Sequence, residues 1–377
     1  MDLTEESMKG YYVFAPLEVG CVGSFSGVEK KIRSQQKVLN SYFDTELLIL
    51  TVPAETGDVL SKLMTRVPFF PVSARKWKYQ GEYDGADFIY MRQVRHDYPF
   101  VRYLKQIKKH NPNIKIIYEI PTYPYEFESR ITPKNCHVTI KDRLNRRKLK
   151  KYVDRIVTFY DQEKIFGIPT IKLQNGFDFS ALTINDEMID KNAVHIIEVS
   201  TTASWHGYDR MIEGLYRYYS NGGQVDIKFH MVGDPLPELV DLVHQYLLED
   251  HVIFHGRQSG EALDQIYNQC VLGIDVLGGH RKDYPISSSL KSREYAAKGL
   301  PLVTSSPVDY MDEAFEYQLV IPYDDSPVDI STVIDFLHKC YRNKDVQEIR
   351  HYIRNYAKQK CDMQQTMLPL INYLQNK

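Results

Sequence analysis

The sequence predicts an α/β protein built as two Rossmann-like domains, and three observations carry that prediction. Short apolar runs alternate with amphipathic segments along nearly all of its 377 residues, which is the rhythm of parallel βαβ winding. That rhythm breaks over 175–192, where NGFDFS leads into a polar run. The charge also divides there: residues 1–180 hold 29 Lys and Arg against 21 Asp and Glu, and residues 181–377 hold 18 against 28, for a net charge of -2. We therefore expect an N-terminal domain over 1–180, a second over 190–350 and a final helical segment over 351–377. Two sheets wound in this way face a central cleft with the carboxyl ends of their strands, where open parallel sheets bind ligands.

Each strand is read from its apolar run. The first half offers Tyr11–Ala15, Glu46–Val52, Asp87–Met91, Ile114–Glu119, Arg155–Phe159 and Thr170–Gln174. The second offers Val194–Ser200, Asp226–Val232, His251–His255, Val271–Val276, Pro301–Ser305 and Leu319–Ile321. Helical periodicity fills the gaps at Val28–Tyr42, Tyr98–His110, Tyr208–Ser220, Pro235–Leu248 and Gly260–Gln269.

Composition narrows the function class. No apolar run reaches the ~18 residues of a membrane-spanning helix, and the polar start MDLTEESMKG lacks a signal-type apolar region. Cys21, Cys136, Cys270, Cys340 and Cys361 are scattered without a CxxC, which points to a reduced, cytoplasmic protein without a structural zinc site. Walker, HExxH, nucleophile-elbow and nucleic-acid signatures are absent, so neither a metal centre nor a nucleic-acid partner is expected.

Several loops have residues suited to chemistry. Gly20, Gly23 and Gly27 follow the first strand and precede a helix, allowing close backbone approach to a ligand, or simply making a glycine-rich turn. Glu119 ends a strand before IPTYPYE, and is the first-half candidate for acid/base work or hydroxyl binding. The tyrosines of that loop suit stacking on a sugar ring, and a rigid structural loop is the alternative. Seven basic residues between Lys141 and Lys151, with Leu144 and Leu149 among them, suit either an anionic membrane surface or a solvated helix face.

In the second half, Trp205-His-Gly-Tyr-Asp-Arg210 starts a helix after a strand; Gly207 permits close approach and His206 can donate to an anion. Gly278-Gly-His-Arg-Lys282 puts His280, Arg281 and Lys282 on a glycine-bearing loop that could clamp a diphosphate. Then comes SSSLKSREYAAKGLPLV, Ser287–Val303. Its serines can cap a helix whose free N–H groups, at Ser288, Ser289 and Leu290, face an anion; Lys291 adds a charge. Glu294, one turn further, can take two ribose hydroxyls or pair with Lys291 or Lys298 on the helix surface.

Together these pieces resemble the family-4 glycosyltransferases of the GT-B fold, of the bacterial capsule and exopolysaccharide type. The resemblance runs through SGVEKK, YEIPTYPY, IVTFYDQEKIFGIPTIKLQNGFD, WHGYDRMIEGL, VIFHG, GGHRK and SSSLKSREYAAKGLPLV. It implies a donor nucleotide-sugar, UDP-linked in preference to GDP-linked, held mainly by the second domain. A glycan or lipid-linked acceptor is held by the first, and the final helix crosses back to it. It implies transfer with retention, no essential metal, and a protein peripheral to the inner membrane face. Glu119, His206, Arg281 and Lys291 would serve catalysis; Gly23, Gly207, His280, Lys282, Ser288, Ser289, Leu290 and Glu294 would bind the donor. Two positions depart from the pattern: Ile286 stands where many relatives have a sugar-contacting glutamate, and His206 where many have lysine. Two other readings follow, a catalytically silent partner of a transferase and a sugar-nucleotide epimerase.

Overall fold

The computed structural model describes residues 7–15, 27–50, 67, 77–94, 96–125, 136–184 and 192–376. The chain divides into two units, Met1–Gln174 with Thr366–Lys377, and Asn175–Gln365.

The first unit holds strands β1 (Lys9–Phe14), β2 (Asp44–Ile49), β3 (Phe88–Arg92), β4 (Lys115–Ile120), β5 (Arg155–Thr158), β6 (Lys164–Ile165) and β7 (Ile168–Lys172), in the order β2-β1-β3-β4-β5-β7-β6. All pairings are parallel except β6 with β7. Of that hairpin, β7 overlaps the expected strand Thr170–Gln174, and β6 has no counterpart among the expected strands. The hairpin's two-residue turn puts both Phe166 (φ 54) and Gly167 (φ 81) in the left-handed region, which matches the twist of a tight hairpin. The central strands are buried almost end to end, as covering by helices on both faces requires. Its described helices include α1 (Gly27–Asn40), α2 (Tyr98–His110) and α3 (Cys136–Arg146). Asp97 caps α2 by accepting from the Phe100 amide at 2.9 Å, and Phe100, Leu104 and Ile107 form its buried stripe.

The second unit is a six-stranded, wholly parallel sheet. Its strands β8 (Val194–Val199), β9 (Ile227–Val232), β10 (Val252–Gly256), β11 (Leu272–Ile274), β12 (Leu302–Thr304) and β13 (Gln318–Val320) run in the order β10-β9-β8-β11-β12-β13. Its helices are α4 (Tyr208–Ser220), α5 (Pro237–Gln245), α6 (Glu261–Gln269), α7 (Leu290–Ala297), α8 (Ile330–Tyr341) and α9 (Val346–Cys361). Winding proceeds outward from β8 through β9 to β10, then returns to β11 on the other side. The carboxyl ends of β8 and β11 therefore flank the switch point at which such sheets bind ligands.

One boundary moves. The chain rejoins the first unit at Thr366, not at 351. Helix α9 belongs to the second unit because Ile349, Ile353 and Ala357 are buried there, and the Arg350 guanidinium donates to the Cys270 carbonyl at 3.0 Å. The C-terminal helix Leu368–Gln375 packs in the first unit. There the Lys115 ammonium donates to the carbonyls of Leu374 (3.2 Å) and Asn376 (3.0 Å), a cation at a helix C-terminus.

Candidate functional site

The predicted loops of the second unit meet at the switch point. After β8 the chain runs through the single turn Ser204–His206 into α4; after β11 it runs through Gly279–Lys282 to α7. The two loops touch backbone to backbone, with the Leu277 amide donating to the His206 carbonyl at 2.7 Å. This contact requires glycine at 207: its φ is +72°, and an added Cβ would lie 2.4 Å from the Gly278 nitrogen.

His206 is held neutral. Burial and the nearby charges of Lys291 and Lys282 push its imidazole down to about 2. Its Nδ1 accepts from the Ala203 amide at 3.2 Å, so the ring proton belongs on Nε2, which becomes the donor. The cation at this spot comes instead from Lys291 at the start of α7. Its ammonium donates to the Tyr208 hydroxyl at 2.7 Å and stands 4.0 Å from the Asp275 carboxylate. Burial pushes that ammonium down, while Asp275 and Glu198 pull it up.

Ser289 caps α7 as expected, and all three serines also bond carboxylates. Ser287 and Ser289 donate to the two oxygens of Asp275 at 2.8 and 2.7 Å, and Ser288 donates to Asp309 at 2.9 Å. Ser289 is the N-cap, accepting from the Ser292 amide, and the Ser288 amide donates to the Tyr284 hydroxyl. What the helix start presents to an anion is therefore the first-turn amides at Leu290 and Lys291, not the Ser288 amide. Buried Arg293 braces this turn, bonding Asp309 at 2.7 and 2.9 Å and the Ser289 carbonyl at 2.9 Å. Glu294 lies one turn on, beside buried Tyr267, whose phenol it helps push up. Lys291 donates to Tyr208, and Lys298 pairs with Asp264 at 2.6 Å.

In the GGHRK loop the Arg281 guanidinium forks onto both oxygens of Asp209 at 2.7 Å, and also bonds Asp325 (2.7 Å) and the Ser204 carbonyl (2.8 Å). His280 bonds the same Asp325 carboxylate at 2.9 Å. These residues tie the two loops and the start of α4 together. Lys282 stands 4.7 Å over the Trp205 ring. Sequence could not reveal the carboxylates at 209 and 325, which lie far from Arg281 along the chain.

A residue that the sequence reading passed over sits at the centre. Glu198, near the end of β8, is 1% exposed. Its Oε2 accepts from the Ser200 hydroxyl at 2.7 Å, and its Oε1 has no partner. Burial pushes this carboxyl up to about 7, against the pull of Lys291. A glutamate inside the apolar run VHIIEV was the available signal.

In the first unit, Glu119 is fully buried in β4, taking hydrogen bonds from Gln35 (2.8 Å), Tyr90 and Arg92. Burial alone would push its carboxyl up. The charges of Lys31 and Arg92, with the bonds from Tyr90 and Gln35, outweigh that and hold it below the usual value. A carboxylate so anchored is held ionised within the sheet. In the TYPY loop, the Tyr125 hydroxyl donates to Asp142 of α3 at 2.6 Å, and Asp142 also bonds buried His96 at 2.6 Å. Lys141, Asp142 and Asn145 thus form the inner face of α3, while Ile140 and Leu144 point outward; Leu149 is buried. Gly20, Gly23 and Glu126 lie outside the described residues.

No protein-family model and no curated protein sequence matches the chain. Solved structures do match it in fold. HepE of Anabaena, solved with UDP-glucose, aligns at a TM-score of 0.61 and 14% identity over 98% of this chain and 100% of that one. Sucrose-phosphate synthase of Thermosynechococcus elongatus gives 0.62 and 12% over 97% and 99%. An α-glucosyltransferase solved with UDP and a mismatched DNA 13-mer gives 0.63 and 14% over 98% and 99%. This protein therefore has the GT-B fold of those glycosyltransferases, with two Rossmann-like domains.

Proposed function

We propose that the chain is a retaining, metal-independent family-4 glycosyltransferase that moves a sugar from a UDP-linked donor to a glycan or lipid-linked acceptor in surface polysaccharide synthesis. The observation that carries this reading is the convergence, at the β8/β11 switch point, of Lys291, the His206 Nε2 donor and the first-turn amides of α7, with Glu294 one turn on. That set suits a diphosphate with a ribose beside it. In the reaction the bond from the anomeric carbon to the diphosphate oxygen breaks and a bond to the acceptor oxygen forms. The acceptor proton passes to the leaving diphosphate, whose charge Lys291, His206 and the helix amides stabilise. Complexes of HepE with UDP-glucose on the same fold support a UDP-linked donor.

The outer face of α3 supports a membrane-bound acceptor. Ile140 and Leu144 are exposed there, with Arg143, Arg147, Lys148, Lys150 and Lys151 exposed around them. Vesicles containing phosphatidylglycerol should bind the protein in a salt-sensitive way, and reversing charge at Arg147, Lys150 and Lys151 should abolish that. Among the described residues no helix is long and apolar enough to cross a membrane.

Radiolabelled UDP-sugar transfer to membrane extracts tests the activity, with UDP thermal shift as the binding readout. A ligand at 100 times its Kd stabilises by about 2.7 kcal/mol. Glu294→Ala and Lys291→Ala should each lose transfer and weaken the shift; transfer surviving both would sink the assignment. The silent-partner reading draws on Ile286, which is 58% exposed, and on the commitment of Arg281 to Asp209 and Asp325. UDP binding without transfer to any acceptor fraction would favour it.

A further inference from the structure

Glu198 is used by nothing in that mechanism, yet hydrogen bonds link it to the cation at its centre. Ser200 donates to Glu198 and also contacts the Tyr208 hydroxyl (3.5 Å) and His206 Nδ1 (3.4 Å), and that Tyr208 hydroxyl accepts from Lys291. The Lys291 charge pulls on Glu198, the Glu198 charge acts on Tyr295, and Asp275 acts on the same Lys291. Of these, Lys291 is the cation, Asp275 is a carboxylate already taken by two serines, and His206 is neutral. With Glu198 ionised, two carboxylates would face one ammonium at the place where an anion is to bind.

The local hydrogen bonding is lopsided. Ser200 donates to Oε2, the Tyr208 hydroxyl lends the carboxyl a weaker pull, and Oε1 is buried with no partner within hydrogen-bond distance. A buried ionised oxygen without a donor is costly, and protonation at that oxygen removes the cost. An incoming diphosphate adds negative charge beside Lys291, which makes the ionised form costlier still and competes with Glu198 for the ammonium.

We propose that Glu198 is a positioning residue of the anion site: in its acid form it leaves Lys291 free for a diphosphate, and diphosphate binding is accompanied by uptake of a proton from solvent onto the Glu198 carboxylate. The inference rests on the donor-site reading above and adds to it a residue and a linkage. Its direction follows from the charges. Binding favours the protonated carboxyl, so affinity falls as pH rises through the range in which free Glu198 ionises. That range is centred near 7.

Two measurements on the full chain test it. The first is a ¹³C-carboxylate NMR titration, with the Glu198 signal assigned by its loss in Glu198→Gln. The free protein should show a midpoint near 7, moved upward by UDP and moved upward by Lys291→Met. A free-protein midpoint in the ordinary glutamate range overturns the inference by itself. The second is calorimetric titration with UDP from pH 6 to 8.5 in buffers of different ionisation enthalpy. The proton of the UDP phosphate contributes equally in both proteins, so the difference between wild type and Glu198→Gln isolates this carboxyl. Wild type should take up additional protons, and its Kd should rise relative to the variant by about tenfold for each unit by which UDP moves the midpoint. Equal uptake and parallel profiles overturn the inference and leave the donor site standing. Absence of UDP binding by wild type at every pH overturns both. A Glu198→Gln protein that melts like wild type at pH 5 certifies that the comparison is between folded proteins.

Discussion

Each unit buries a glutamate near the carboxyl end of a central strand, Glu119 in β4 and Glu198 in β8, and their carboxyls are shifted in opposite directions. Both are at most 1% exposed. Glu119 receives Gln35, Tyr90 and Arg92, with Lys31 nearby, and stays ionised below its usual range. Glu198 receives Ser200 and is pushed up to about 7. The difference lies in the neighbours rather than in depth. A buried carboxylate with a full set of donors is an anchor, and one left short is a titrating group.

The sharpest way to break this comparison is to remove the anchor. Glu119→Ala leaves the buried Arg92 guanidinium without its carboxylate, and should cost about 3–5 kcal/mol in urea unfolding. A loss under about 1 kcal/mol would mean that the network is not holding the sheet.

The second effect has the opposite sign with pH. The native state keeps the Glu198 proton between the unfolded value of 4.5 and about 7, a window in which the unfolded chain has lost it. Wild-type stability should therefore fall as pH rises through that window, by about 3 kcal/mol from this group. Glu198→Gln should lack that fall, so the variant gains on wild type between pH 4.5 and 8. Parallel unfolding curves across that range would return Glu198 to the same class as Glu119.

Next, Gly207→Ala forces a side chain into a left-handed backbone against Gly278, and should lose about 2 kcal/mol along with UDP affinity. An unchanged thermal shift with UDP would separate the loop contact from the site. Smallest is Arg281→Ala. Its partners Asp209 and Asp325 are partly exposed, so the ion pairs contribute about 1 kcal/mol or less. UDP binding should weaken far less than in Lys291→Ala; the reverse ranking would restore Arg281 as a diphosphate clamp.

Much of this architecture was legible along the chain. Strands such as Val194–Val199 and Ile227–Val232 are buried on both faces, so their runs are mostly apolar and easy to read despite His195, Glu198, Lys228 and His230 within them. The two-residue strand β6 was not, because a run so short has no period. The helix start at Ser289 was legible from its capping serine, a local rule. The partners of Ser287 and Ser289 were not, since Asp275 lies on another element.

By itself the sequence determined the winding of both sheets, the close approach at Gly207 and the position of Lys291 and Glu294 on one helix, because these depend on periodicity, backbone freedom and spacing within a segment. The tertiary structure alone decided what each charge does. Arg281 meets Asp209 and Asp325, Glu119 meets Arg92, Tyr90 and Gln35, and Glu198 meets little beyond Ser200, because the energy of a charge depends on which distant side chains and how much water surround it.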